Sequence, residues 1–226
     1  MELTAHPPLR ERLLRAARKV VEEGGLEGLR ARSLTAQVGA STQALYTLYG
    51  GMAGLIEAVV ADGFDEYARF VAATPESDDP VADFFAKGWA YSDWALAHPQ
   101  LYRLMFGLGS AELRRHAGLE VALAGTVANS PEAQRAVDVL VDSMRRVTES
   151  DRVEATDPVL AAGQFLSATH GYVLLQAAGV FGDGDAGAPI IVALAVNLMV
   201  GLGDSRGGAA ESLRKAASLR GAEVPG

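Results

Sequence analysis

Within sixteen residues the chain gathers a guanidinium, an amide and four hydroxyls: Arg32, Ser41, Thr42, Gln43, Tyr46 and Thr47. A glutamine amide carries a donor and an acceptor that match adenine N6 and N7 together, and a guanidinium suits phosphate oxygens. The same side chains also make an ordinary solvated surface, so their meaning depends on the elements that carry them. Leu34, Val38, Leu45 and Leu48 interleave with them at helical spacing and can face a core, which leaves Arg32, Thr42, Gln43, Tyr46 and Thr47 outward. Gly39-Ala40-Ser41 separates two short helical stretches, Ala31 to Val38 and Thr42 to Leu48, and the Ser41 hydroxyl can cap the second. This is the spacing of a helix-turn-helix, whose second helix enters the DNA major groove, and equally that of a glycine-joined pair of core helices.

Other chemistry finds less support. The chain has no cysteine, hence no thiolate nucleophile, disulfide, iron–sulfur cluster or cysteine zinc site. It contains no G-x-S-x-G elbow and no G-x-x-x-x-G-K-[ST] loop, and GDGDAG lacks both the strand–turn–helix context of a phosphate cradle and the terminal Glu of a calcium loop. The histidines His6, His98 and His116 have no partner at H-E-x-x-H spacing, so no metal and no cofactor is expected. Asp78-Asp79 falls in a linker-like stretch and reads as solvated charge. The sequence therefore predicts no enzyme. Phe84, Phe85, Trp89, Tyr91, Trp94, Tyr102, Met105 and Phe106 suit an apolar ligand pocket or simply a core. Candidate ligand contacts are Tyr91, Trp94, Met105, Phe106, Met144 and His170. For His170, set among apolar neighbours, the alternatives are a metal ligand or a core histidine satisfied by a backbone carbonyl.

The elements that must position these groups read as all-α. Leu9, Leu13, Ala16 and Val20 mark a first helix over 8–23, with Arg10, Arg12, Arg15, Arg18 and Lys19 around its stripe. Ile56, Val59, Gly63, Tyr67 and Phe70 mark a fourth, ending near Ala73. Further helices are predicted from Val81 to His98, from Pro99 to Phe106, from Pro131 along Val137, Leu140, Met144 and Val147, and over 158–180 and 189–203. Residues 107–130 remain unassigned, the tail after Gly207 reads as a loose helix or a frayed end, and nothing alternates with period two between hairpin turns.

A chain of 226 residues corresponds to one or two domains, and 49% hydrophobic against 21% charged residues excludes disorder for most of it. The net charge of −8 is uneven: residues 1–50 carry 7 Lys/Arg against 5 Asp/Glu, or +2, and residues 51–226 carry 13 against 23, or −10. An anionic partner is expected near the N-terminus. MELTAHPPLRERLLR has no apolar run after its charges, which predicts a cytoplasmic protein. Val159 to Gly182 runs 24 residues without a formal charge, yet holds Gln164, His170 and Gln176, and reads as a buried interface helix rather than a membrane span.

The G-x-S-x-x-x-L-Y core of Gly39, Ser41, Leu45 and Tyr46, with Tyr49 and Leu55 after it, resembles the TetR (tetracycline-repressor-like) family of transcription regulators over residues 9–71. AYSDWALAHPQLYRLMFG and ATHGYVLLQAAGVF resemble the family's so-called WHG-type C-terminal domain, with Leu166 where that type has Trp. The resemblance implies a phosphate contact for Tyr46, base edges or neighbouring phosphates for Thr42, Gln43 and Thr47, and an approach to DNA for Arg32. It implies a DNA-binding head over 1–50, connected through helix 51–73 to an effector-binding and dimerisation domain over 74–226. The expected protein is a homodimeric, ligand-responsive regulator, a repressor released from a palindromic operator by a small-molecule effector. Leu48 and Met52 stand where the family usually has His and Lys, so phosphate contacts are fewer. The alternatives are a helical small-molecule sensor with weakened DNA binding and a small all-α enzyme.

Overall fold

The computed structural model describes residues 7–108, 130–182, 184 and 186–219, and these form an all-α fold without a strand. Its helices are α1 (Leu9–Gly24), α2 (Ala31–Gln37), α3 (Thr42–Tyr49), α4 (Met52–Ala72), α5 (Pro80–Ala97), α6 (Pro99–Met105), α7 (Pro131–Thr148), α8 (Pro158–Ala177), α9 (Ala188–Gly201) and α10 (Arg206–Leu219). The stretch that sequence leaves unassigned lies, over 109–129, outside the described residues. The tail is more regular than a frayed end: α10 buries Ala209, Ser212, Ala216 and Ala217 and packs along α5.

Two compact units divide the described residues, and the division falls inside α4, between Asp65 and Glu66. In the first, α1 packs on α2 and on α6, and α2 packs on α3. The buried face of α1 is Leu13, Ala17 and Val21, so after Leu13 the stripe runs one residue later than the predicted Ala16 and Val20. On α4 the predicted Ile56, Val59, Gly63 and Tyr67 are buried, whereas Phe70 is exposed and Val71 takes the inward place. A helix repeats every 3.6 residues, and the drift between that period and steps of three and four decides such ends. Residues 98–108, which the sequence groups with the body, pack here, because α6 buries Leu101, Leu104 and Met105 in the unit that contains α1.

In the second unit α5 packs on α8 and α10, and α9 packs on both α8 and α10. Phe84, Phe85, Met144, Phe165 and Met199 are buried in its core. One end is tied by charge. The carboxylate of Asp83, wholly buried, accepts from the Ser77 amide and hydroxyl and from Arg146 Nη1 at 3.0 Å. Arg152 donates to Asp204 at 2.6 and 3.1 Å, and Ser212 donates to Asp79 at 2.7 Å. Asp79 also caps α5 by accepting the Val81 and Ala82 amides.

Candidate nucleic-acid interface and ligand cavity

The α2–α3 pair is built by local chemistry. Gly39 adopts φ +65°, a left-handed turn that side chains other than glycine rarely enter. Ser41 then stands at the N-cap of α3, its Oγ accepting the Ala44 amide at 3.2 Å. Leu34 and Leu45 are buried, while Val38 and Leu48 are half-buried. Arg32, Ser41, Thr42, Gln43, Tyr46 and Thr47 all lie on the exposed side, with Tyr46 61% exposed. Thr47 turns its hydroxyl back to donate to the Gln43 carbonyl at 3.0 Å, leaving its oxygen lone pairs and methyl outward.

The first helix clamps this pair. Arg12 Nη2 donates to the Val38 carbonyl at 2.8 Å, at the C-cap of α2, and Arg10 Nη1 donates to the Leu48 carbonyl at 2.7 Å, in the last turn of α3. Cations at helix C-termini satisfy orphan carbonyls and oppose the macrodipole. The Arg10 guanidinium also stacks 4.6 Å from the Tyr49 ring, and the Tyr49 hydroxyl donates to the Arg10 carbonyl at 2.7 Å. Burial pushes the Tyr49 phenol above its ordinary pKa, and the Arg10 charge partly opposes this. Two of the cations around the stripe of α1 are thus bonded to backbone carbonyls of the helix pair.

A different constellation occupies the second unit, where an apolar cavity is walled by α4, α5, α7, α8, α9 and α10. Phe84, Phe85, Trp89 and Phe165 supply rings; Leu140, Leu198 and Leu213 supply aliphatic wall. Phe84 and Phe165 meet edge to face at 4.9 Å. Lys87 is the one side chain with a formal charge among the described lining residues. It is 7% exposed and its ammonium donates to Glu76 at 2.8 Å, a bond that holds the Glu76 carboxyl below its ordinary pKa.

Of the six side chains nominated for ligand contact, Tyr91 lines this cavity, and its hydroxyl shares a 3.0 Å hydrogen bond with His170 Nδ1. Burial lowers the His170 pKa, so the ring is neutral near pH 7. Trp94 is buried beside them, edge to face with Tyr67 at 5.5 Å, and donates to Glu66 at 3.2 Å, but is not part of the lining. Met144 sits in the core beneath. Met105 and Phe106 pack in the first unit, Phe106 against Phe64 and Tyr102, because Pro99 starts a new helix that turns these residues onto α1. Sequence reasoning did not nominate Tyr67 and Lys87: the helical stripe contained Tyr67, and nothing in spacing separates a cavity wall from a core. Among the described residues no group of three His, Asp or Glu could hold a metal ion. No single helix among them is long and apolar enough to cross a membrane.

A glycine-turned helix pair with a polar outer face thus stands in the first unit, and an apolar cavity in the second. Residues 84–196, half of the chain, match the family model described as the tetracyclin repressor-like C-terminal domain, and the chain belongs to the TetR family of transcription regulators. Regulators of this family are not enzymes. Solved structures carry the same fold. One is a protein of unknown function from Rhodococcus sp. RHA1, 22% identical, covering 89% of this chain and 99% of that one with a TM-score of 0.72. RolR in complex with resorcinol is 14% identical over 96% of this chain and 95% of that one, with a TM-score of 0.61. A TetR-family transcriptional regulator from Pectobacterium atrosepticum is 23% identical over 85% and 93%, with a TM-score of 0.57. No curated protein matches the chain in sequence.

Proposed function

We propose that the chain is a homodimeric repressor that binds a palindromic operator through α3 and releases it when a small-molecule effector fills the cavity of the second unit. The observation that carries this reading is the division of α3 into a buried side at Leu45 and an exposed side bearing Thr42, Gln43, Tyr46 and Thr47. Gln43 reads an adenine edge, Tyr46 meets a phosphate, Thr42 and Thr47 face base edges or neighbouring phosphates, and Arg32 anchors the approach from α2. Residues 1–50 act as the head, 51–73 as the connecting helix and 74–226 as the effector and dimer body. That RolR holds resorcinol supports an effector that is small and ring-bearing. An effector bound preferentially in the conformation that does not fit the operator shifts the population, and operator and effector weaken each other by the same factor.

Selection of bound sequences from random duplexes, followed by anisotropy titration of the enriched fragment, tests the reading. An inverted repeat bound by two chains with a steep salt dependence is expected. Absence of any enriched sequence sinks it. A second reading, a cytoplasmic sensor with weakened DNA binding, is favoured by Leu48 and Met52 and by the bonds of Arg10 and Arg12 to backbone carbonyls. Met52→Lys separates the two. In the first reading it adds a phosphate contact per subunit and steepens the slope of log K against log salt by about 0.9 each. An unchanged slope in a folded variant shows that residue 52 stays away from the phosphates.

A further inference from the structure

We infer that the cavity takes an uncharged, ring-bearing molecule with a hydrogen-bond acceptor, a carbonyl, ether or hydroxyl oxygen, and that the Tyr67 hydroxyl is the donor that selects it. The inference rests on the reading of this cavity as the effector site and names the chemistry of its occupant.

Charge is the first constraint. None of the described lining residues is a carboxylate, so none of them offers a cationic ligand a counter-charge. Lys87 is already matched by Glu76 at 2.8 Å, so an anion would have to displace a bond that the buried ammonium needs. A neutral molecule meets neither cost. The rings of Phe84, Phe85, Trp89 and Phe165 favour a flat apolar body by dispersion and edge contacts.

Tyr67 supplies the polar handle. The residue is 8% exposed and lines the cavity, yet its hydroxyl bonds to no described residue. Nor is the oxygen sealed in the core, since among the described residues the enclosed polar atoms without partners are Arg12 Nε, Ser143 Oγ and Gln176 Oε1. Its ring is held edge to face by Tyr91 at 5.5 Å and by Trp94 at 5.5 Å, which leaves the hydroxyl little choice of direction. Burial, with Tyr91 beside it, raises the phenol pKa well above its ordinary value, so the group is a donor at neutral pH. The other phenol in the wall, Tyr91, is already bonded to His170. A buried donor that lacks a partner in the protein gains a full hydrogen bond from a ligand acceptor.

Three probes of similar size test this on the purified full chain: acetophenone, ethylbenzene, which lacks the acceptor, and benzoate, which carries charge. Chemical-shift titration of the two tryptophan indole N–H signals reads the site, because Trp89 lies in the wall. On the wild type, acetophenone and ethylbenzene both bind and benzoate binds at least about tenfold more weakly than acetophenone. Tyr67→Phe weakens acetophenone about five- to tenfold and leaves ethylbenzene unchanged, whereas Tyr91→Phe changes acetophenone by less than about twofold. Benzoate binding as tightly as acetophenone, equal effects of Tyr67→Phe on acetophenone and ethylbenzene, a larger loss in Tyr91→Phe, or no binding of any probe overturns the inference. The operator titration on the same preparations keeps the two readings apart: operator binding without probe binding removes this inference alone, and Tyr67-dependent acetophenone binding without any operator removes the repressor alone.

Discussion

At the scale of single residues, the proposed operator contact divides the polar face of α3 into groups that discriminate and groups that hold. Gln43 and Tyr46 are both exposed; in the proposed operator contact the Gln43 amide matches one base and the Tyr46 hydroxyl meets a sequence-blind phosphate. Gln43→Ala is therefore expected to cost about 1–3 kcal/mol on the preferred site and to relax choice at one position per half-site. Tyr46→Phe weakens all duplexes alike. Equal losses for Gln43→Ala on preferred and random DNA would show that the amide reads no base. His170 makes a different prediction. Its folded pKa lies below the ordinary 6.5 because burial disfavours the cation, so between those two values the unfolded chain binds more protons than the folded one. Stability then falls as pH drops below about 6.5 toward the folded value. Glu76, held low by Lys87, loses its contribution only below its ordinary 4.5. Melting temperatures across this range should decline less in His170→Gln than in the wild type above pH of about 5; parallel curves would assign the decline to other groups.

At the scale of elements, the junction between α3 and α4 rests on an absence of side chain. A Cβ placed on Gly54 would lie 1.9 Å from the Tyr49 carbonyl oxygen, so α4 begins closer to the end of α3 than any other residue permits. Gly54→Ala should destabilise by more than about 2 kcal/mol, because backbone and not a flexible side chain must move. Denaturant unfolding measures it. A variant that melts like the wild type would mean that the two helices can part without cost. The clamps from α1 belong to this scale too. The sequence places Arg10 and Arg12 around the stripe of α1 without assigning them partners, and in the structure they satisfy the carbonyl ends of α3 and α2.

At the scale of the whole molecule, α8 and α9 leave Val159, Leu160, Leu175, Ile190 and Leu194 exposed, with Val180 just beyond α8. In the proposed homodimer these side chains are covered by their copies in a twin of the same chain, since an isologous interface lets one surface cover itself. Leu175→Glu and Leu194→Glu are each expected to yield monomers or aggregates in sedimentation, and the operator affinity should fall with them. An intact wild-type monomer at micromolar concentration would remove the basis for the dimer.

The helix-turn-helix was legible in the amino-acid sequence because its determinants are local: a glycine at φ +65°, a serine cap one turn from its amide, and leucines at helical spacing each act within a few residues. The all-α class followed from the same short-range periodicity, with stripe positions displaced where three- and four-residue steps drift against the true helical period. The cavity is another matter. Its wall joins Tyr67 and Val71 to Phe84 and Phe85, Leu140, Phe165 and Thr169, Ile191 and Leu213, and no local rule brings residues so far apart in the chain to one surface. Tyr67 and Phe70 carry the same stripe signal on α4, yet packing buries one beside a cavity and exposes the other. Met105, Phe106 and Met144 have the composition of a ligand wall and are used as core elsewhere. Hydrophobicity marks a side chain for burial without saying against what, so which apolar residues close a core and which leave a space between them was decided only by the tertiary structure.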